Sequence, residues 1–169
     1  MKPIRLFLTD VDGCLTDGGM YYGTSGEEMK RFCVYDGMGL VLLRKAGIKC
    51  GILTSETTEI VARRAKKLQL DYLFMGVGSQ VKQGVITKLQ ACEQICTELG
   101  ISLDQVCYVG DDINDIDLLT AIAKAGGLPV CPANAMPSVK SISNITILSH
   151  RGGDGAIREL CDKILECKK

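Results

Sequence analysis

The chain has 169 residues, 46% of them hydrophobic, with 19 Gly and 4 Pro; these are the proportions of one globular domain with a sizeable core, and they exclude a disordered chain. Twenty basic and twenty acidic side chains cancel, which excludes a general electrostatic pull toward nucleic acid or an anionic membrane surface, so any anion is bound locally. No apolar run is long enough to span a bilayer and the N-terminus lacks the h-region of a signal peptide, so a cytosolic protein is expected.

The first element is an apolar strand, Ile4 to Leu8, running into LTDVDGCLTD. Asp10 and Asp12 are two apart at a strand end and point the same way, so they repel unless a cation shares their site. Taken alone, the pair is also what an acidic turn looks like. Met20 to Tyr22 and Met29 to Tyr35 then flank a Gly/Ser/Glu turn and read as a β-hairpin over about residues 19–36. A helix follows from Met38 to Ala46, stopped by Gly47; IKCGILTS reads as a buried strand, ETTEIVARRAKKLQL as a helix and DYLFMGV as another strand.

Ser79 is placed to cap a long helix whose apolar residues, Val81 through Leu99, recur at three- and four-residue steps. DQVCYVGDD is a strand ending in acids, INDIDLLTAIAKAGG a helix stopped by glycines, LPVCPA a strand, AMPSVKSIS a short helix, ITIL a last strand and 154–167 a closing helix. Strands separated by helices imply right-handed crossovers: a doubly wound α/β domain with a mostly parallel sheet, filling residues 1–169. Nine scattered cysteines without a C-x-x-C pair read as reduced, mostly buried thiols. Only Cys92 and Cys96 share a helix face, and the sole histidine, His150, lies in a loop, so no zinc site is expected.

In such a sheet, ligands bind beyond the carboxyl ends of the strands. The first strand ends in Asp10 and Asp12, the second in Thr54 and Ser55, and the strand from Gln105 in Asp111, Asp112 and, a turn later, Asp115; Lys82 opens the long helix. Several carboxylates with one Lys and two hydroxyls suit a hard cation and a phosphate together, and magnesium is the natural candidate.

DVDGCLT, ILTS, Lys82 and GDDINDID, in this order, resemble the four motifs of the haloacid dehalogenase superfamily of phosphohydrolases. The resemblance covers nearly the whole chain. It implies Asp10 as the nucleophile that forms an aspartyl phosphate and Asp12 as general acid and base. It also implies Mg²⁺ held by Asp10, the backbone carbonyl of Asp12 and Asp111, with Asp112 and Asp115 in support, and phosphate held by Thr54, Ser55 and Lys82.

Neither gap between the early motifs is long enough for a cap domain, and a lone hairpin is marginal in water, so its apolar residues are expected to pack on something else. FCVYDGMG, Arg64 and RGGDGAIRELCDKIL resemble a capless subfamily of phosphatases acting on 3-deoxy-octulosonate 8-phosphate and on nine-carbon, sialic-acid-type sugar phosphates. That resemblance implies a homotetramer in which one subunit's hairpin covers a neighbour's site. Octulosonate phosphatases usually read T-G-R after the second strand, whereas this chain reads Thr54, Ser55, Glu56. The departure favours 2-keto-3-deoxy-nononate 9-phosphate or N-acetylneuraminate 9-phosphate as substrate, with Glu56, Arg64 and Lys67 selecting it. For Glu56, Arg64 and Lys67 an ordinary helix-face role weighs equally. Among rivals, a phospho-receiver domain would place its acceptor near position 54, where Thr54 and Ser55 stand; a non-catalytic oligomerisation domain would not need the intact acids.

Overall fold

The computed structural model describes residues 3–26, 28–78 and 85–167. β1 (Leu6–Thr9) is fully buried and central, pairing in parallel with β4 (Lys49–Thr54) on one side and β6 (Val106–Val109) on the other. With β5 (Tyr72–Met75), β7 (Leu128–Cys131) and β8 (Thr146–Ile147), they form a parallel sheet of order β5-β4-β1-β6-β7-β8. The chain reverses its direction of travel across the sheet at β1. The crevice beyond the carboxyl ends of β1, β4 and β6 is therefore where such a fold places a ligand.

Helices α1 (Val34–Lys45), α2 (Glu59–Leu68) and α6 (Ala156–Glu166) cover one face through Leu40, Leu43, Val61, Ala65, Ile157 and Leu160. Helices α3 (Lys88–Leu99), α4 (Ile116–Ala125) and α5 (Pro137–Lys140) cover the other through Ala91, Ile95, Leu118, Ile122 and Val139. Because both faces are buried, the strands carry continuous apolar runs rather than alternating ones. No described helix is long and apolar enough to cross a membrane.

Two elements differ from the sequence expectation. The hairpin is short, β2 (Tyr21–Tyr22) against β3 (Glu28–Met29), with Thr16 bridging Phe32 beyond it. α1 begins at Val34, not Met38: the β-formers Val34 and Tyr35 read locally as strand, but Asp36 binds the start of α6 and holds this turn helical. α3 begins at Lys88, capped by Thr87 in a reciprocal box with Gln90. The helix start expected at Ser79 lies outside the described residues.

A glycine strap before α6 locks onto the loop after β1. Gly153 N–H donates to the Cys14 carbonyl at 3.0 Å, and Asn134 bridges the Gly13 carbonyl (2.9 Å) and the Gly152 N–H (2.6 Å). The approach is so close that a Cβ at Gly152 would stand 1.8 Å from the Gly13 oxygen.

Candidate active site

Asp10 leaves the buried end of β1 with its carboxylate folded back on its own loop, Oδ1 accepting the Val11 N–H at 2.7 Å. Lys88, from the first turn of α3, reaches Asp10 Oδ2 at 2.9 Å and Asp115 Oδ1 at 2.7 Å. Its side chain is 1% exposed. Asp111, at the end of β6, completes the group: one carboxylate oxygen each from Asp10, Asp111 and Asp115 lies within 4.8 Å of the others. Gly13 is needed beside it, because a Cβ there would come 2.0 Å from Asp111 Oδ2 and its φ is +82°.

Asp115 is fully buried and fully engaged. Oδ1 accepts from Lys88 and the Tyr108 hydroxyl, and Oδ2 accepts the N–H groups of Asp111 (2.9 Å) and Asp112 (3.2 Å). With both oxygens used, its task is to hold Lys88 and the Asp111 loop. Asp112 points to solvent and caps the turn 113–115 through the Ile113 N–H.

Two of the three carboxylates, those of Asp10 and Asp115, share the Lys88 ammonium. Burial pushes the Asp10 carboxyl above its ordinary range, opposed by Lys88 and reinforced by Asp115; burial, with Asp10 and Asp115 nearby, lifts Asp111 to about 7. Asp10 and Asp111 are hard oxygen donors whose mutual repulsion a divalent cation relieves, so these residues fit Mg²⁺. Cys14 is the one soft neighbour, its thiol 3.5 Å from Asp111 Oδ1. Burial pushes that thiol far up, which keeps it protonated.

Asp12 faces away from the cluster. Both its oxygens accept from Lys30 Nζ, at 2.8 and 2.7 Å, and Thr16 Oγ1 adds a bond of 3.2 Å to Oδ1. Thr54 closes β4, buried at 1% exposure, its Oγ1 accepting the Glu56 N–H at 3.1 Å. Ser55 is exposed, and its hydroxyl accepts from Asn114 Nδ2 at 3.1 Å. Glu56 is half-buried and close enough to Lys30 to act on its charge.

Three expectations need restating. Lys82 lies outside the described residues, and the lysine at the carboxylates is Lys88; the T-x-x-Q capping signal of Thr87 and Gln90 is what would have located it. Arg64 is committed within its own subunit: Nη2 donates to the Cys33 carbonyl at 3.0 Å, the guanidinium lies 5.2 Å from the centre of the Phe32 ring, and burial lowers its pKa. Lys67 sits in the last turn of α2, beside Arg44 and Lys45. Its place eight residues along the helix puts it about 12 Å from the end of α2 that follows Thr54 and Ser55. Sequence reading also passed over Lys30, whose pairing with Asp12 depends on the hairpin's fold. A groove of about 1140 Å³ between the start of α1 and α6 includes none of Asp10, Asp12 or Asp111 in its lining.

A family profile described as haloacid dehalogenase-like hydrolase matches residues 79–160. The chain is 32% identical over 168 residues to the 3-deoxy-D-manno-octulosonate 8-phosphate phosphatase KdsC of Haemophilus influenzae, covering 99% of this chain and 86% of the relative. A crystal structure of the corresponding phosphatase from Moraxella catarrhalis, in complex with magnesium ion, phosphate ion and a KDO molecule, superposes with a TM-score of 0.85. It is 35% identical and covers 96% of this chain and 86% of that one. The cobalt-bound form of the Haemophilus influenzae phosphatase superposes at 0.83, with 34% identity, 98% of this chain and 89% of that one.

Proposed function

The chain belongs to the haloacid dehalogenase-like hydrolases and is a phosphoric monoester hydrolase, and on that footing we propose that it releases phosphate from a 2-keto-3-deoxy sugar acid phosphate through a phosphorylated Asp10. The observation that carries this reading is the buried meeting of Asp10, Asp111, Asp115 and Lys88 at the ends of β1 and β6.

Asp10 attacks phosphorus while the bond to the sugar oxygen breaks, and Asp12 gives its proton to that departing oxygen. Asp12 then takes a proton from water, which displaces phosphate from Asp10 and restores the free carboxylate. Lys88 and Thr54 stand at the phosphoryl oxygens, with Ser55 at the rim. The Asp10 and Asp111 carboxylates and the Asp12 carbonyl would hold Mg²⁺, which would supply charge neutralisation at phosphorus. Asp115, and more distantly Asp112, keep the Asp111 loop in place.

The eight-carbon 3-deoxy-octulosonate 8-phosphate is the preferred substrate in this reading, supported by the relatives' named activity. Glu56 favours a second reading: an acid where octulosonate phosphatases usually carry a cation suits a nine-carbon, hydroxyl-rich acid such as 2-keto-3-deoxy-nononate 9-phosphate or N-acetylneuraminate 9-phosphate. Arg64 and Lys67 would contribute to either substrate only across a subunit boundary. A homotetramer with a neighbour's hairpin over each site is supported by the exposed Tyr21, Tyr22, Met29, Val34 and Tyr35, an apolar display unusual for a monomer. Nine free thiols suit the cytosol.

Phosphate release with Mg²⁺, compared across the three sugar acid phosphates, tests the reading. The eight-carbon ester is expected to show the highest kcat/KM. A higher value on a nine-carbon ester selects the second reading, and no release from any of them leaves a non-catalytic oligomerisation domain.

A further inference from the structure

At the foot of the hairpin stands a second, partly buried ion pair, separate from the Asp10–Lys88 cluster. Glu28 and Lys30 are two apart along and just beyond β3, so their side chains leave the same side of the strand. The Lys30 side chain has no exposure, and its Nζ touches both oxygens of Asp12 and lies 3.3 Å from Met20 Sδ. While Asp12 accepts at both oxygens, it has no hydrogen to offer a departing oxygen. A second carboxylate waits beside the same ammonium: Glu28 Oε1 is 3.6 Å from Lys30 Nζ, buried, and accepts no hydrogen bond from the described residues. A buried carboxylate oxygen without a donor is costly, and one short movement of a flexible lysine would satisfy it. Glu56 adds negative charge on the same side and keeps the ammonium in the neighbourhood.

We propose that Lys30 and Glu28 are positioning residues that form a two-seat latch on Asp12: Lys30 holds Asp12 at rest and while it serves as base, and moves onto Glu28 when Asp12 turns to the leaving oxygen as acid. The latch rests on the reading of Asp12 as acid and base. Once Lys30 has left it, Asp12 takes up a proton from solvent; that proton goes to the sugar oxygen as the Asp10–phosphorus bond forms and the bond from phosphorus to the sugar oxygen breaks, and Lys30 keeps all of its protons. Because both latch residues belong to the hairpin strand or its edge, hairpin placement and proton transfer become one event.

Glu28→Gln and Lys30→Met, each alone and in an Asp12→Asn background, are assayed with Mg²⁺ on two substrates. One is a sugar acid phosphate, whose alkoxide needs a proton; the other is p-nitrophenyl phosphate, whose phenolate leaves without one. The latch predicts that Glu28→Gln lowers kcat on the sugar ester roughly tenfold with little change in KM, and lowers it several-fold less on the aryl ester. It also predicts no further loss from either variant in the Asp12→Asn background. Equal losses on both esters, or losses that add to that of Asp12→Asn, overturn it. If Lys30→Met fails to fold by thermal melting, Glu28→Gln decides alone. A wild-type protein that hydrolyses neither ester overturns the phosphatase reading and the latch together, whereas an active wild type with equal losses overturns the latch only.

Discussion

The carboxylate of Asp36, on α1, accepts the backbone N–H of Arg158 at 2.8 Å and that of Gly155 at 3.4 Å, so α1 supplies the cap that α6 lacks. Gly155 at the N-cap has no side chain to do so. Asp36→Ala is expected to destabilise the protein by about 1–2 kcal/mol, the usual worth of an N-cap. Asp36→Asn keeps one acceptor oxygen and should cost less. Urea midpoints at constant m-value check both, and an Asp36→Ala midpoint equal to that of wild type would show that the cap carries no stability.

Lys88 is the cation on which the buried carboxylates depend. Lys88→Met leaves Asp10 and Asp115 facing each other without it, and breaking a buried pair in this way costs about 3–5 kcal/mol. Phosphate release is expected to fall by roughly 10³-fold or more, as for the loss of a charge aimed at the transition state. Lys88→Arg should not rescue it, because a planar fork does not fill the place of a compact ammonium wedged between two carboxylates. Thermal melts beside single-turnover assays separate the two effects.

Metal should act on the fold as well as on the reaction. A cation that binds Asp10 and Asp111 only in the native state raises stability by about 2.7 kcal/mol at a hundred times its Kd. The melting temperature is therefore expected to rise with added Mg²⁺ and to return on chelation, when phosphate release also stops. Asp111→Asn, which removes one of the ligating charges, should abolish most of the rise. An unchanged shift in that variant would place the cation elsewhere.

Acid sensitivity should come in part from Glu159, whose carboxylate accepts from Ser149 N–H and Oγ, the His150 N–H and the Lys163 ammonium, and pairs with His150 Nδ1. These donors, working against partial burial, hold its carboxyl well below the usual range. A carboxylate with a depressed folded pKa contributes fully above its unfolded value, near 4.3, and loses that contribution as pH falls from there toward the folded value. Wild type should therefore exceed Glu159→Gln in urea midpoint at pH 7, and the gap should narrow steadily as pH falls below about 4.3. A constant gap across that window would remove Glu159 as the cause.

The acids at the strand ends could be read in the sequence because two local rules agree on them: an apolar run sets the strand, and a parallel sheet puts its carboxyl end at the ligand. The same logic reached Asp111 and Asp115. It did not reach Lys88, whose place at the start of α3 is marked in the sequence by the Thr87–Gln90 box. It failed for α1, where Val34 and Tyr35 prefer strand and Asp36 answers to a helix 120 residues away. Lys30 had no local signal at all, because its partner is chosen by how the hairpin folds over Asp12. Arg64 and Lys67 carried the right chemistry at helical spacing, yet α2 runs away from the site and takes Lys67 with it.

The strap of Gly152 and Gly153 against Gly13 and Cys14 bears on the order in which the molecule becomes competent. A ribosome delivers residue 13 well before residue 152. Asp10 and Asp12 therefore sit in an unfinished loop until the strap follows, and that loop gains its clamp only as α6 emerges. A nascent chain would hold Asp10 long before it could use it, and hydrolysis would begin only after the strap has left the ribosome.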